Sequence, residues 1–308
     1  MITASHTQTA GPVEALPLPL EALYDRSIGT ELPLPPELRQ FYGALRFPLR
    51  RGKPYVIANL VSSLDGVVSL GIPGQAGGKE ISGSNLQDRA LMGLLRAAAD
   101  AVVVGAGTLR ESEGKLLTGA KVFPPLAGAY ADLRRILRKE SESLAVIVTA
   151  SGDLDPALPI FRGGAEVLVV TTPTGAQRAR GLGLPKVVRV MEAPAEDEGS
   201  MDHIPARAVL EAIQTLRSCD VVLVEGGPRL LGDFYAEGII DEQFLTLSPQ
   251  VVGRDSSGKQ RGLVEGKGFA PGRPLWGELS VVKRGESHLF LRYGFQDTFA
   301  HDADSKSR

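Results

Sequence analysis

The sequence predicts an α/β fold: a mainly parallel central sheet flanked by helices, with an antiparallel C-terminal hairpin. Three observations predict it. Short aliphatic runs at Tyr55–Val61, Ala101–Val104, Leu144–Thr149, Glu166–Thr171, Lys186–Val190 and Val221–Val224 suit strands covered on both faces. Helical segments alternate with strands through the first two thirds, as in βα units. The runs Gln243–Leu247, Leu279–Lys283 and Leu289–Tyr293 end the body with no helix between the last two, which reads as antiparallel closure.

Residues 1–50 hold seven prolines (Pro12, Pro17, Pro19, Pro33, Pro35, Pro36, Pro48) and no sustained period. They read as an extended arm on the surface or on a neighbouring subunit, with a helical turn around Glu37–Ala44. The folded body spans 51–298, and 299–308 is a polar tail. The first strand continues into the polar, glycine-closed Ser62-Ser63-Leu64-Asp65-Gly66, and Gly71–Gly78 reads as a mobile loop. Ser84 and Gln87 form a capping box for a helix reaching about Ala99. Its apolar face is Leu91, Leu94, Leu95 and Ala98. Asp88 stands in one row with Leu91, Met92 and Leu95, at i, i+3, i+4 and i+7. An acid in the first turn suits the helix dipole. It equally fits a carboxylate at the mouth of an apolar cleft, accepting a hydrogen bond from a heterocycle or managing a proton with a raised pKa.

Between 111 and 143 the chain reads as irregular, except for a helix over Tyr130–Arg138 whose basic run is a solvated face. Loops rich in Pro and Gly separate the next strands. Residues 191–203 are acidic and exposed, Pro205–Ser218 is an amphipathic helix, and 253–274 is a long loop.

The chain is organised around Asp220-Val221-Val222-Leu223-Val224-Glu225-Gly226-Gly227-Pro228-Arg229-Leu230-Leu231. A buried strand ends at a carboxylate, two glycines admit close backbone approach, and Pro228 starts a helix whose first amides suit a phosphate. The same residues also fit a plain strand-to-helix turn. The second element, Ala101–Arg110, again runs a strand into Gly105, Gly107 and Thr108. Two such turns on adjacent strands can hold the two ends of one dinucleotide.

Composition excludes several classes. A net charge of −2 and a pI near 6.2 give no attraction to nucleic acid or anionic membrane. Apolar runs are far shorter than the roughly 18 residues of a membrane span. No secretory signal is visible, and a single Cys219 fits a reducing cytoplasm and a packed thiol. Four scattered histidines give no zinc spacing, so no metal is expected. Gly105–Arg110 carries only part of a GxGxxG fingerprint, Gly253–Gln260 lacks the Ser or Thr of a P-loop, and no GxSxG elbow occurs.

Asn59–Gly66, Leu95–Thr108 and Glu225–Pro228, in this order and spacing, resemble the reductase domain of bacterial riboflavin biosynthesis over roughly residues 54–295. That family has the dihydrofolate reductase fold. The zinc-binding pattern of its deaminase half is absent, so the chain resembles the stand-alone members. The resemblance implies a cytoplasmic homodimer that uses NADPH and a small heterocyclic substrate. It places Gly105, Gly107 and Thr108 at the cofactor phosphates, and Gly226, Gly227, Pro228, Arg229 and Leu230 at the pyrophosphate and nicotinamide half. The family's serine for the adenosine 2′-phosphate is replaced by Ala150, so that role passes to Thr149 or Ser151. Ala58, Asn59, Ser62 and Asp65 border nicotinamide and substrate. Asp88 falls where dihydrofolate reductases carry their pterin-binding acid, and Asp88 and Glu225 are the catalytic candidates.

The family's Asp-Asp-Pro group and phosphate-binding arginine are missing from Leu109–Gly119, with Arg110, Lys115 or Lys121 as substitutes, and its Trp-Ile-Ser is here Glu80-Ile81-Ser82. The implied function is NADPH-dependent reduction of a nitrogen heterocycle or its ribosylamino derivative. The alternatives are a dihydrofolate or pteridine reductase and a non-catalytic nucleotide-binding module.

Overall fold

The computed structural model describes residues 15–48, 50–72, 78–115, 117–193, 203–256 and 258–295. In chain order the first elements are β1 (Glu21–Asp25), β2 (Thr30–Glu31), α1 (Pro36–Tyr42), β3 (Arg46–Phe47), β4 (Tyr55–Ser62), α2 (Gly78–Ser82) and α3 (Leu86–Ala98). Next come β5 (Ala101–Gly105), α4 (Ala106–Glu111), α5 (Gly119–Val122), α6 (Ala127–Ile136), β6 (Leu144–Thr149), α7 (Pro159–Arg162) and β7 (Val167–Thr171). The rest are α8 (Pro173–Gly181), β8 (Val188–Glu192), α9 (Ala206–Leu216), β9 (Val221–Val224), α10 (Pro228–Ala236), β10 (Glu242–Leu247), β11 (Glu278–Gly285) and β12 (His288–Gly294).

The aliphatic runs become the centre of one sheet, ordered β1-β11-β12-β10-β4-β9-β5-β6-β7-β8. From β10 to β8 every pairing is parallel, and β12, β11 and β1 close the other side antiparallel. All residues of β6, β7 and β9 are buried, which is why these strands lack alternation. Side chains of α3, α4, α6 and α7 pack in one buried cluster, and those of α9 and α10 in another on the opposite face. The chain steps from β4 past the place of β9 to β5 and onward to β8, then returns to insert β9 between β4 and β5. In open parallel sheets such a reversal leaves a crevice at the carboxyl ends of the strands, where ligands bind.

Four expectations change. The basic run at the end of α6 is not a solvated face throughout: Arg134 is buried and donates to the Ala97 and Ala99 carbonyls. Within the segment read as an extended arm, β1 pairs with β11, β2 with β3, and Leu32, Leu34, Leu38, Phe41, Tyr42, Leu45 and Phe47 join the larger core cluster. The prolines separate short elements instead of preventing them, so no single period runs through the stretch; its first 14 residues lie outside the described set. The N-cap of α3 is Asn85, whose side chain accepts from the Asp88 amide at 2.8 Å. Ser84 has φ 61°, and Gln87 donates to the Leu18 carbonyl. One loop between strands is the helix α8, capped by Thr172 with Pro173 in its first turn. Its buried face is just Gly175, Ala176 and Ala179, too small to stand out as apolar periodicity. Residues 73–77 of the expected loop at 71–78, 194–202 of the acidic run at 191–203 and the whole tail at 299–308 lie outside the described residues, while Gly78 starts α2 and Met191 and Glu192 end β8.

Candidate active site

The crevice is built from three strand ends. Parallel register sets Ala58 beside Val224 and Val103 beside Val224, so one further step places Asn59, Glu225 and Val104 abreast. The Glu225 amide donates to the Val103 carbonyl (3.0 Å) and the Gly105 amide to the Gly226 carbonyl (2.9 Å), which lashes the two glycine turns together. Gly226 has φ 87°, a conformation that favours glycine. A Cβ on Gly227 would lie 2.9 Å from the Thr108 hydroxyl, while one on Gly107 would meet nothing within 4 Å. The backbone at these turns is therefore open to a ligand on one side and tightly packed on the other.

A cavity of about 500 Å³ lies over these strand ends, within the range of small-molecule sites. Its lining brings together Asn59, Asp88, Thr108, Glu225, Gly227 and Pro228. Glu225 is not a solvated strand end. Both its oxygens accept from Arg96 of α3, at 2.9 and 3.1 Å from Nε and 2.7 Å from Nη2, and the two side chains are 7% and 11% exposed. This fork-to-fork geometry fixes the carboxylate in direction as well as position.

Asp88 is buried at 5% exposure. Burial drives its pKa from 3.8 up to about 6; the hydroxyls of Thr246 and Ser82 partly oppose this, and the charge of Glu225 adds to it. Two acids with different environments thus face one cavity: one carboxylate clamped by a guanidinium, the other in an apolar setting that favours its protonated form.

Other expected site residues lie elsewhere. Ala58 and Leu230 are buried in the same core cluster. The Ser62 hydroxyl donates to the Ser63 carbonyl. Asp65 accepts from the Ser63 hydroxyl and the Val252 and Gly253 amides, bonds that hold its pKa at about 2 against a small burial effect; it fastens the 250s loop to the end of β4. Gly105, Gly107, Gly226 and Arg229 flank the cavity without lining it. Thr149 is buried and Ser151 exposed on the loop after β6. Cys219 is buried, and burial pushes its thiol up to about 12. Among the described residues no group of three His, Cys, Asp or Glu is placed to hold a metal.

Sequence reasoning passes over Arg96. The signal is present: 88, 92 and 96 form an i, i+4, i+8 row, and Asp88, Met92 and Arg96 all line the cavity. A second cavity of about 340 Å³ is lined by Arg96, Ser112, Lys115, Leu117, Lys121, Val122 and Pro159, sharing the first four with the main one. Arg110, the third expected substitute for the family's arginine, turns away and donates to the Asp153 carbonyl.

A crevice at a chain reversal, two linked glycine turns and a pair of unlike acids in one cavity define a candidate active site on a mainly parallel α/β sheet. The model of the RibD C-terminal domain matches residues 54–288. The chain is 26% identical to 2,5-diamino-6-ribosylamino-4(3H)-pyrimidinone 5′-phosphate reductase of Archaeoglobus fulgidus over 208 residues, 66% of this chain and 84% of the relative. It is 22% identical to the riboflavin biosynthesis protein RibD of Escherichia coli over 68% of its length, and spans about half (52%) of that longer protein. In structure it resembles a pyrimidine reductase-like protein from Corynebacterium diphtheriae (TM-score 0.58, 22% identity, 78% of this chain and 91% of the other). It also resembles RibD of Acinetobacter baumannii (TM-score 0.58, 23% identity, 79% and 58%). The chain belongs to the RibD C-terminal domain family. By family it is a reductase.

Proposed function

We propose that the chain is an NADPH-dependent reductase of a phosphoribosylamino-pyrimidine of riboflavin biosynthesis. The observation that carries this reading is the single cavity in which the glycine turns and the Asp88 and Glu225 carboxyls face one another. The open backbone at Gly107 and the tight packing behind Gly227 fit a dinucleotide laid across the turns. NADPH, when bound there, supplies the hydride. The chain aligns the acceptor within about 3 to 3.5 Å and keeps water out. Glu225, clamped by Arg96, accepts hydrogen bonds from substrate N–H groups through its remaining lone pairs. Asp88 in its protonated form donates a hydrogen bond, or a proton, to a ring nitrogen or oxygen. Lys115 and Lys121 in the adjoining cavity offer positive charge to a ribose phosphate, in place of the family's arginine.

The depth of Asp88 on α3 favours a second reading, a dihydrofolate or pteridine reductase. NADPH oxidation with the ribosylamino-pyrimidine phosphate and none with dihydrofolate is the expected result. The reverse pattern selects the pterin reading. NADPH binding without turnover of either substrate selects a non-catalytic module.

The homodimer implied by the family is supported by the outer edge of β1, which pairs with no other described strand and exposes Leu23 (50%) and Tyr24 (39%), with Trp276 (75%) also exposed. Unpaired apolar edges invite a second chain. Sedimentation should give twice the chain mass, and Leu23→Lys should shift it toward monomer; a monomeric wild type refutes the assembly.

A further inference from the structure

No step of the reduction uses His288, yet its ring touches both ends of the link that leads into Asp88. His288 is half-buried and opens β12, on the same side of the sheet as Phe290, which packs in the core cluster holding Leu91 and Leu94 of α3. Its Nε2 lies 3.1 Å from the carbonyl oxygen of Ser82, the last residue of α2. Its Nδ1 lies 3.2 Å from Nδ2 of Asn85, the N-cap of α3. One imidazole therefore spans the connection between the two helices. That connection is tight, with Gly83 at φ 63° and Ser84 at φ 61°, and the Ser82 carbonyl also accepts from the Asn85 amide at 3.2 Å.

The partners assign the ring hydrogens. A carbonyl only accepts, so Nε2 carries the hydrogen and donates to Ser82. The Asn85 Oδ1 accepts from the Asp88 amide at 2.8 Å, which turns the NH2 group toward His288, so Nδ1 accepts. Both ring nitrogens are then filled, and the Asn85 amide is fixed in the orientation that caps α3. Turned over, it would set its NH2 group against the Asp88 N–H, and the helix would lose its cap. Ser82 closes the circuit. It is buried, its carbonyl is held by His288, and its hydroxyl is one of the two that oppose the burial of the Asp88 carboxyl. We propose that His288 is a positioning residue for Asp88, locking the Asn85 amide and the Ser82 backbone so that the carboxyl keeps one place and one set of neighbours. His288 does not line the cavity, whereas Asp88 does, so it acts through Asp88 and not on the substrate. The role asks for one donor and one acceptor a ring apart, and not for a charge.

The role rests on the reading of Asp88 as the acid of the reductase, and the test separates the two. The full chain is labelled at its aspartate carboxyl carbons, and the Asp88 signal, identified by its loss in Asp88→Asn, is followed by NMR against pH; kcat and NADPH affinity are measured alongside. The wild-type midpoint should fall at about 6. Leucine fills much of the ring's volume but neither donates nor accepts, so in His288→Leu the midpoint should move by about half a pH unit or more. Its kcat should fall about tenfold or more, with NADPH affinity within about twofold of wild type. Glutamine can accept with its oxygen and donate with its nitrogen, so His288→Gln should recover both the midpoint and kcat. Asn85→Ser keeps a helix cap but removes the NH2 group, and in that background His288→Leu should add little. An unmoved midpoint and kcat in His288→Leu overturn the inference. So do losses that His288→Gln fails to recover, the mark of a ring that merely fills space. If His288→Leu does not fold, Asn85→Ser takes its place: a moved midpoint supports the lock and an unmoved one overturns it. Full turnover in Asp88→Asn, with a midpoint that still follows His288, overturns the acid reading and leaves the positioning in place.

Discussion

Replacing Asp88 by Asn should lower turnover by about 10²-fold or more while making the fold more stable at neutral pH. The first effect follows from the loss of a positioned acid, and general acids typically contribute about 10²- to 10⁴-fold. Wild-type kcat/KM should fall roughly tenfold per pH unit above about 6, where the Asp88 carboxyl loses its proton, whereas the variant should be flat across that interval. The stability effect has the opposite sign because the folded-state pKa lies above the unfolded value of 3.8. Below pH 3.8 the side chain is neutral in both states and its burial carries no ionic cost. As the pH rises through about 6 the folded protein must hold a buried charge, and stability is lost. The full loss is on the order of 2 to 3 kcal/mol. Asn cannot ionise, so unfolding by urea should show Asp88→Asn ahead of wild type at about pH 8 and level with it at about pH 4. A stability difference that does not change with pH would sink the assignment of a raised pKa, and an unchanged rate would remove Asp88 from the chemistry.

The second large effect is expected at Arg96. Arg96→Met takes away the guanidinium that satisfies both oxygens of Glu225 and leaves a carboxylate in a site only 7% exposed. Breaking a buried pair from one side costs about 3 to 5 kcal/mol, because the remaining charge is desolvated and alone. Adding Glu225→Gln to Arg96→Met should restore most of the stability, since no charge is then left behind, but not the activity, since the substrate loses its oriented acceptor. Thermal unfolding of the two single variants and the double variant forms the cycle that tests this. Additive losses would mean that the two side chains do not act as a unit.

Both results bear on how much of the site was legible beforehand. Glycines placed after aliphatic runs are readable because strand ends, turns and helix starts are local: Gly226, Gly227 and Pro228 sit where the sequence puts them, and α10 begins at Pro228. Asp88 was legible as a carboxylate on an apolar row. Arg96 was not singled out, since its meaning depends on Glu225, which stands 129 residues away in the chain and reaches it only through the insertion of β9 between β4 and β5. Asp65 shows the converse. The family resemblance implies a ligand contact for it, yet its carboxylate is taken by amides 187 and 188 residues distant.

What the sequence by itself determined is the parallel α/β body with its antiparallel ending and the two glycine turns. These depend on periodicity and backbone preference, which act over a few residues. The tertiary structure decided which side chains meet: the Arg96–Glu225 fork, the burial that raises Asp88, and the folding of residues 20–47 into the core. Each depends on strand order and on desolvation, and neither is set until distant segments have packed.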